Sequence, residues 1–184
     1  MPIQLSQDLQ IALTVAINEA GRLGHEYAGL EHLLYALTLD DETAAVLRHA
    51  GADLAALKTE LERHLREDVE AVPSRKRPVE PRPSLAFQHV LNRAGLHVES
   101  SGRELIEGKD LLVALLEIED AYAVEVLADQ GVNRLDVVQF LAHGVSKLAP
   151  GDGRPSRMPA DDELQSRLST LQLSLVIYLQ HLLC

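Results

Sequence analysis

Cysteine, aromatic residues and long apolar runs are all scarce in this chain of 184 residues, and each shortage excludes a class of protein. The single cysteine is Cys184, so no disulfide can form within the chain, which fits a reducing compartment. Tryptophan is absent and aromatic residues make up 3% of the chain, which argues against base-stacking surfaces for nucleic acid. The most apolar stretch, residues 168–184, is interrupted by polar side chains and is not an ordinary transmembrane helix.

Basic residues are also few, with 17 Lys and Arg against 28 Asp and Glu and a formal net charge of −11. Nucleic-acid binding depends on clustered Lys and Arg that neutralise phosphates, so this balance disfavours it. The first residues lack the basic patch and apolar run of a signal peptide. With 46% apolar residues the chain can bury a core. We expect a soluble, cytoplasmic protein that binds neither nucleic acid nor membranes.

The charge is divided unevenly along the chain. Residues 1–70 have a net charge of −8 and residues 84–144 a net charge of −6. Between them, residues 71–83 have a net charge of +3 and four of the eight prolines. Because proline removes a backbone donor and blocks helix formation, this segment is predicted to be a linker. Its Arg75-Lys76-Arg77 run is better explained as solvated linker than as a nucleic-acid patch.

The two acidic blocks are copies of one another. An offset of 78 residues aligns them, and a two-residue insertion extends the match to Asn133. Aligned pairs include Leu13 with Leu91, Gly24 with Gly102, Glu26 with Glu104, Leu33-Leu34 with Leu111-Leu112, and Ala36-Leu37 with Ala114-Leu115. So many matches in one register indicate an internal duplication of a unit of about 70 residues.

Apolar residues in each copy recur every three or four positions, which predicts four helices per copy. No segment alternates like a strand, so the predicted fold is all-α, with eight helices in two pseudo-symmetric four-helix repeats. The repeats span residues 1–70 and 84–148 on either side of the Pro-rich linker. The predicted N-caps are Asp53, Ser84 and Asn133. The residues predicted to be buried include Leu33, Leu34, Leu111 and Leu112, where the repeats meet, and Leu135, Val138 and Leu141 in the last helix.

Several strings make the pattern specific. They are G-H-E-Y at 24–27, E-H-L-L-Y-A-L at 31–37, S-L-A-F-Q-H-V-L-N-R-A at 84–94, and G-V-N-R-L-D-V-V-Q-F-L-A-H-G at 131–144. They resemble the Clp repeats at the front of Clp-family AAA+ unfoldases. The last string, and S-S-G-R-E at 100–104, are most similar to the ClpA-type subunit that feeds the Clp peptidase. The resemblance covers residues 4–144. It implies an eight-helix, pseudo-two-fold domain that docks substrates and adaptors and performs no chemistry.

The motor of that family needs a G-x-x-x-x-G-K-[ST] loop to hold nucleotide phosphates, and the sequence contains none. We therefore expect no ATP hydrolysis by that mechanism and no catalytic residues. Residues 149–163 are predicted to be a flexible linker, and the tail from Leu164 to Cys184 matches nothing in the family. Two interpretations stay open: the docking domain of an unfoldase, or a stand-alone Clp-repeat accessory protein that binds the Clp machinery.

A zinc site is the natural chemical hypothesis, because His25, Glu26, Glu31 and His32 lie close together and histidines and carboxylates bind zinc. The two histidines lack the i,i+4 spacing of a zincin helix, and a turn at Gly29 separates them. We expect neither a metal nor another cofactor. A cap or an interhelix hydrogen bond is the expected role of His32.

The resemblance implies an adaptor-binding site. Glu26 and Glu31 fall on positions that family members use to dock the small adaptor ClpS, which delivers substrates with destabilising N-terminal residues. Ser84 and His89 fall on further positions of that surface, where close relatives resemble Thr and Arg. Gly29 is another departure, because the family commonly has a capping Thr there. The implied partners are a ClpS-type adaptor and unfolding protein substrates, with the Clp peptidase reached only through a motor.

Overall fold

A computed structural model describes residues 3–71 and 80–148 of the chain. Its elements are β1 (Gln4–Leu5), α1 (Gln7–Leu23), β2 (Tyr27–Ala28), α2 (Leu30–Leu37), α3 (Asp41–His49), α4 (Leu54–Glu67), β3 (Arg82–Pro83), α5 (Leu85–Ser100), β4 (Leu105–Ile106), α6 (Gly108–Leu115), α7 (Tyr122–Asp129) and α8 (Arg134–His143). The eight predicted helices are confirmed. The two-residue strands were not predicted, because so short a segment shows no alternation. Most of the predicted linker and all of the predicted tail lie outside the described residues.

The helices begin and end where the sequence supplies capping groups. The side chain of Asp53 accepts two backbone N–H groups of α4 at 3.0 Å, and Ser84 accepts one from α5 at 3.2 Å. At the start of α8, the side chain of Asn133 accepts the N–H of Asp136 at 3.1 Å. The side chain of Asp136 in turn accepts the N–H of Asn133 at 3.0 Å. Gly24 ends α1 with a φ of 76°, which glycine adopts without strain. The three predicted N-caps are therefore confirmed.

One apolar core extends through both repeats and includes residues from all eight helices. Leu33 and Leu34 of α2 and Leu111 and Leu112 of α6 are fully buried in it, and these two helices contact each other. The prediction that these leucines are buried where the repeats meet is confirmed.

The prediction for the buried face of α8 is wrong. Leu135 exposes 61% of its surface, Leu141 exposes 39%, and Val138 is only half-buried. Helix α8 packs mainly against α3 and α6, and the face turned toward them contains the buried Val137. The ring of Phe140 also lies on this face and is stacked on the ring of His49 of α3, with 4.4 Å between the ring centroids. The predicted apolar stripe therefore faces away from the core.

The two repeats are joined by reciprocal strand pairs. Strand β1, which precedes α1, pairs in parallel with β4, which lies between α5 and α6. Strand β2, which lies between α1 and α2, pairs in parallel with β3, which precedes α5. Each repeat thus receives its strand partners from the other repeat. This exchange fixes the turn before α2 against the beginning of α5.

Candidate functional site

The β2–β3 pair brings together the two segments that contain the sequence-predicted adaptor residues. The N–H of Arg82 donates to the carbonyl of Glu26 at 3.0 Å, and the N–H of Ser84 donates to the carbonyl of Ala28 at 2.9 Å. Because the strands are parallel, α2 and α5 begin at the same end of the pair. Glu31 lies in the first turn of α2 and His89 in the second turn of α5, so both are near this end of the strand pair.

The four predicted residues differ in exposure. Glu26 and His89 are exposed, and Glu31 and Ser84 are half-buried. The hydroxyl oxygen of Ser84 caps α5 by accepting the backbone N–H of Phe87. The proton of this hydroxyl is left for another acceptor. Within residues 3–71 and 80–148, neither glutamate forms an ion pair. Both carboxylates therefore present negative charge that these residues do not neutralise.

Two apolar side chains of this surface were not among the sequence-predicted residues. Tyr27 of β2 exposes 53% of its surface, and Leu85, the first residue of α5, exposes 83%. The available signal was indirect, since Leu85 directly follows the cap Ser84 and lies outside the apolar stripe of its helix. Exposed apolar groups flanked by charged and polar ones are typical of protein-binding surfaces. We call the surface formed by Glu26, Tyr27, Glu31, Ser84, Leu85 and His89 the acidic dock.

A pair of buried histidines supports the turn that contains Glu26. Nδ1 of His25 lies 2.9 Å from Nε2 of His32, and the N–H of Gly29 donates to Nδ1 of His32 at 3.0 Å. Because Nδ1 of His32 accepts, its proton lies on Nε2 and is donated to His25. The backbone of Leu65 at the end of α4 faces His25 and raises its pKa slightly against the effect of burial. The chain of bonds needs both rings to be neutral.

The environment of the histidine pair favours the neutral rings. The pKa of His32 is lowered to about 4, mainly by burial and also by the neighbouring His25, whereas Glu19 opposes the shift. Burial also lowers the pKa of His25, again against the effect of Glu19. The prediction that His32 acts as a cap is confirmed, since its Nδ1 accepts the N–H of Gly29 before α2. Its other ring nitrogen bonds to His25, which lies in the turn after α1 and not in a helix.

This arrangement separates the residues of the zinc hypothesis. His25 and His32 are buried and bonded to each other, whereas Glu26 is exposed on the surface. No group of three or more His, Cys, Asp or Glu that could hold a metal ion occurs in the part of the chain that the structure describes. Nor is any helix there long and apolar enough to cross a membrane.

The second repeat holds the equivalent turn with different chemistry. Arg103 and Asp110, which the 78-residue offset aligns with His25 and His32, form a bidentate ion pair with both N···O distances at 2.8 Å. The carboxylate of Asp110 also accepts the N–H of Glu107 at 2.9 Å, just as His32 accepts that of Gly29. Hydrogen bonding to Asp110 raises the pKa of Arg103. A neutral buried pair in one repeat therefore corresponds to a partly exposed ion pair in the other.

The surface of the second repeat that corresponds to the acidic dock has a different charge. Glu104 occupies the place of Glu26. Ser6 occupies the place of Ser84, and the N–H of Ser6 donates to the carbonyl of Ile106 at 2.9 Å. The place of Glu31, however, is taken by Lys109, which lies 2.6 Å from Glu42. The corresponding surface therefore has a serine, contributed by the first repeat, but not the second negative charge.

Comparison with known proteins agrees with this architecture. Residues 4–130 match the family described as Clp repeat (R) N-terminal domain. The chain is 37% identical over 151 residues to a ClpA homolog protein of Fuscovulum blasticum, a match that covers 82% of this chain and 19% of that protein. The chain thus spans about a fifth of the length of that relative.

Solved structures with low sequence identity share the fold. The Hsp104 N-terminal domain from Candida albicans superposes with a TM-score of 0.61 at 19% identity, covering 73% of this chain and 86% of that one. The N-terminal domain of the chaperone ClpD from Arabidopsis thaliana superposes with a TM-score of 0.52 at 17% identity, covering 74% and 94%. With its duplicated helices and the family match over most of its length, the chain belongs to the Clp repeat N-terminal domain family.

Proposed function

We propose that this chain is the adaptor- and substrate-docking domain of a ClpA-type unfoldase of an ATP-dependent Clp protease, and that its acidic dock receives a ClpS-type adaptor. The main support is the β2–β3 pair, which joins the segment of Glu26 and the exposed Tyr27 to the segment of Ser84 and the exposed Leu85. The proposed location is the cytoplasm, which fits the single cysteine.

The chemistry of the acidic dock suits a basic or donor-bearing adaptor surface. The charges of Glu26 and Glu31, which form no ion pair within residues 3–71 and 80–148, would steer such a surface toward the dock and fix its orientation. Tyr27 and Leu85 would supply the apolar area at the centre of the contact, where most binding energy is concentrated. Docking, and not catalysis, is the proposed contribution of these 184 residues to the protease.

The duplication gives a reason for one dock on each chain. Lys109 of the second repeat replaces the second glutamate and already contacts Glu42 and Glu107 at 2.6 and 3.0 Å. The aligned counterpart of His89 is the apolar Ile11. An adaptor that recognises two adjacent negative charges would therefore distinguish the first repeat from the second.

Reversing both charges tests the proposal. The double variant Glu26→Lys with Glu31→Lys is expected to weaken binding of a labelled ClpS-type adaptor more than tenfold, which is about 1.4 kcal/mol. Glu31→Lys also places a cation near a helix N-terminus, at a cost of about 0.3–1 kcal/mol in stability. Thermal unfolding followed by circular dichroism must therefore show a folded variant before affinity is compared. Glu104→Lys is the control, and it is expected to leave binding intact.

The apolar part of the dock allows a second test. Leu85→Ser is expected to weaken adaptor binding about tenfold without loss of stability, because the side chain is almost fully exposed. Leu135→Ser removes a similarly exposed leucine on α8 and serves as the matched control. If a folded double charge variant and Leu85→Ser both bind the adaptor like the unmodified chain, the site assignment is wrong, although the family is not.

A further inference from the structure

The chain does not leave the domain directly from its last helix. Helix α8 is capped by Gly144, and the next four residues, 145–148, lie against the end of α3; we call these four residues the exit strap. The N–H of Lys147 donates to the carbonyl of His49, the last residue of α3, at 2.8 Å. Carbonyls in the last turn of a helix have no partner within the helix, so this bond completes α3 from outside. Nδ1 of the same histidine also lies 2.9 Å from the hydroxyl of Ser146.

The side chain of Lys147 fastens the exit strap across both repeats. Its methylenes lie over Gly51, in the turn after α3, where a Cβ added to the glycine would lie 3.3 Å from Cδ of the lysine. Its ammonium group donates to the carbonyl of Gly131, in the turn after α7, at 2.8 Å and lies 2.6 Å from the carboxylate of Asp136 in α8. The duplication aligns Gly51 with Gly131. One lysine therefore bridges the two equivalent turns.

The first repeat uses the equivalent residues differently. The two-residue insertion makes the offset 80 residues here, which aligns His64 with Gly144 and Leu65 with Val145. In the first repeat these residues belong to the last turns of α4, and Leu65 is fully buried. In the second repeat the helix ends one turn earlier, and Val145 exposes 55% of its surface. The second repeat thus lacks a helical turn, and the residues of that turn form the strap instead.

We propose that the exit strap sets the point at which the chain leaves the domain, and that it opens when the ion pair between Lys147 and Asp136 is lost. With the strap closed, the linker predicted from residue 149 onward starts beside the two equivalent turns. With the strap open, the linker starts at residue 145 and gains four residues, which is about 13 Å when extended. The strap would thereby control how far the acidic dock can move relative to the part of the protein that follows the linker.

Trypsin can report the state of the strap, because it cleaves after a lysine only when that side chain is free to enter the protease. In the full chain, Asp136→Asn is expected to speed the cut after Lys147 at least tenfold. The amide oxygen of the new side chain can still accept the N–H of Asn133, so the cap of α8 is kept. Asp110→Asn is the matched control and should leave this cut slow. Asp110 has the same capping position in α6 and a side chain that is 13% exposed against 12% for Asp136, but its ion pair is with Arg103.

A second variant, Lys147→Gln, removes the charge without touching the cap of α8. The N–H of residue 147 is expected to exchange with deuterium at least tenfold faster in this variant, because its bond to the carbonyl of His49 opens. Burial opposes a low pKa of Asp136, but hydrogen bonds from Lys147 and from the N–H of Asn133 lower it. An NMR titration should therefore find a higher pKa for this carboxyl in Lys147→Gln. Lys147→Arg keeps the charge and should keep both values near those of the unmodified chain.

Salt provides a third measurement, because the side chain of Lys147 is 45% exposed and its ion pair is open to screening. Added salt should speed the cut after Lys147 in the unmodified chain and change it little in Asp136→Asn. Rapid exchange of the Lys147 N–H in the unmodified chain would show that the strap is already open and would overturn the inference. So would equal cutting of the unmodified chain and Asp136→Asn. An equal increase after Lys147 and after Arg93 of α5 would also overturn it, since the strap would then open only when the domain unfolds.

This test is separate from that of the adaptor proposal, because no residue of the strap belongs to the acidic dock. The acidic-dock variant Glu26→Lys with Glu31→Lys should be cut after Lys147 as slowly as the unmodified chain. A faster cut in this variant, when it is folded, would show that the strap responds to more than its own ion pair and would overturn the inference.

Discussion

Acid should destabilise the first repeat through its buried histidine pair. Burial lowers the pKa of His32 from 6.5 to about 4. Between these two values the unfolded chain binds a proton at this residue that the folded chain does not. The free energy of unfolding therefore falls as the pH falls from 7 to 4. At about 1.36 kcal/mol per pH unit, His32 alone accounts for about 3 kcal/mol of lost stability at pH 4.

The variant His32→Asn removes this titration and keeps a cap. The amide oxygen of asparagine can accept the N–H of Gly29, as the carboxylate of Asp110 accepts the N–H of Glu107 in the second repeat. At pH 7 the variant should be less stable, because the shorter side chain reaches less far toward His25. Between pH 7 and pH 4, however, the variant should lose about 3 kcal/mol less of its free energy of unfolding than the unmodified chain. The contribution of His25 remains in both proteins.

Urea unfolding at a series of pH values from 4 to 7.5 measures this difference. His97→Asn is the matched control, because His97 is an exposed histidine near the end of α5. The control should show the same dependence of unfolding free energy on pH as the unmodified chain. Equal pH dependence in the unmodified chain and His32→Asn would refute the argument that buried, neutral His32 couples folding to protons.

Two further predictions concern the core and ATP binding. Leu112→Ala is expected to cost about 2–5 kcal/mol and to lower the melting temperature clearly, because it leaves a cavity where the repeats meet, whereas Leu173→Ala, outside the described residues, should barely change it. Equal effects of these two substitutions would show that the predicted domain boundary is wrong. Because the sequence contains no phosphate-binding loop, the purified chain should neither bind nor hydrolyse ATP, and micromolar affinity in calorimetry would contradict this.

Local signals in the sequence predicted the local features of the fold. The caps Asp53 and Ser84 were predictable because each directly precedes a segment with apolar residues at helical spacing. The burial of Leu112 was predictable because the apolar residues of its helix recur regularly. The buried face of α8 was not, because its apolar residues fit more than one stripe and only packing against α3 and α6 selects Val137. The periodicity of a helix does not say which of its faces has a neighbour.

The candidate site depended more on resemblance than on pattern. Nothing local indicates that Glu26 lies beside Ser84, since their proximity results from a strand pair of two residues on each side. Tyr27 and Leu85 were missed because an exposed apolar residue looks like a core residue until the fold shows its surroundings. The role of His32 could be expected from its place at a helix start, but its bond to His25 could not, because seven residues and a turn separate them.

The reciprocal strand pairs have a consequence for how this molecule assembles. Two equivalent halves that each complete the other have the geometry of an isologous dimer, here within one chain. A single half produced alone would have two short strands without partners and an uncovered apolar helix face, which favour exchange with another copy. The covalent connection replaces that encounter between molecules by an intramolecular one, whose effective concentration does not depend on how much protein is present. The folded state of this domain is therefore insensitive to dilution, whereas a dimer assembled from separate halves would dissociate.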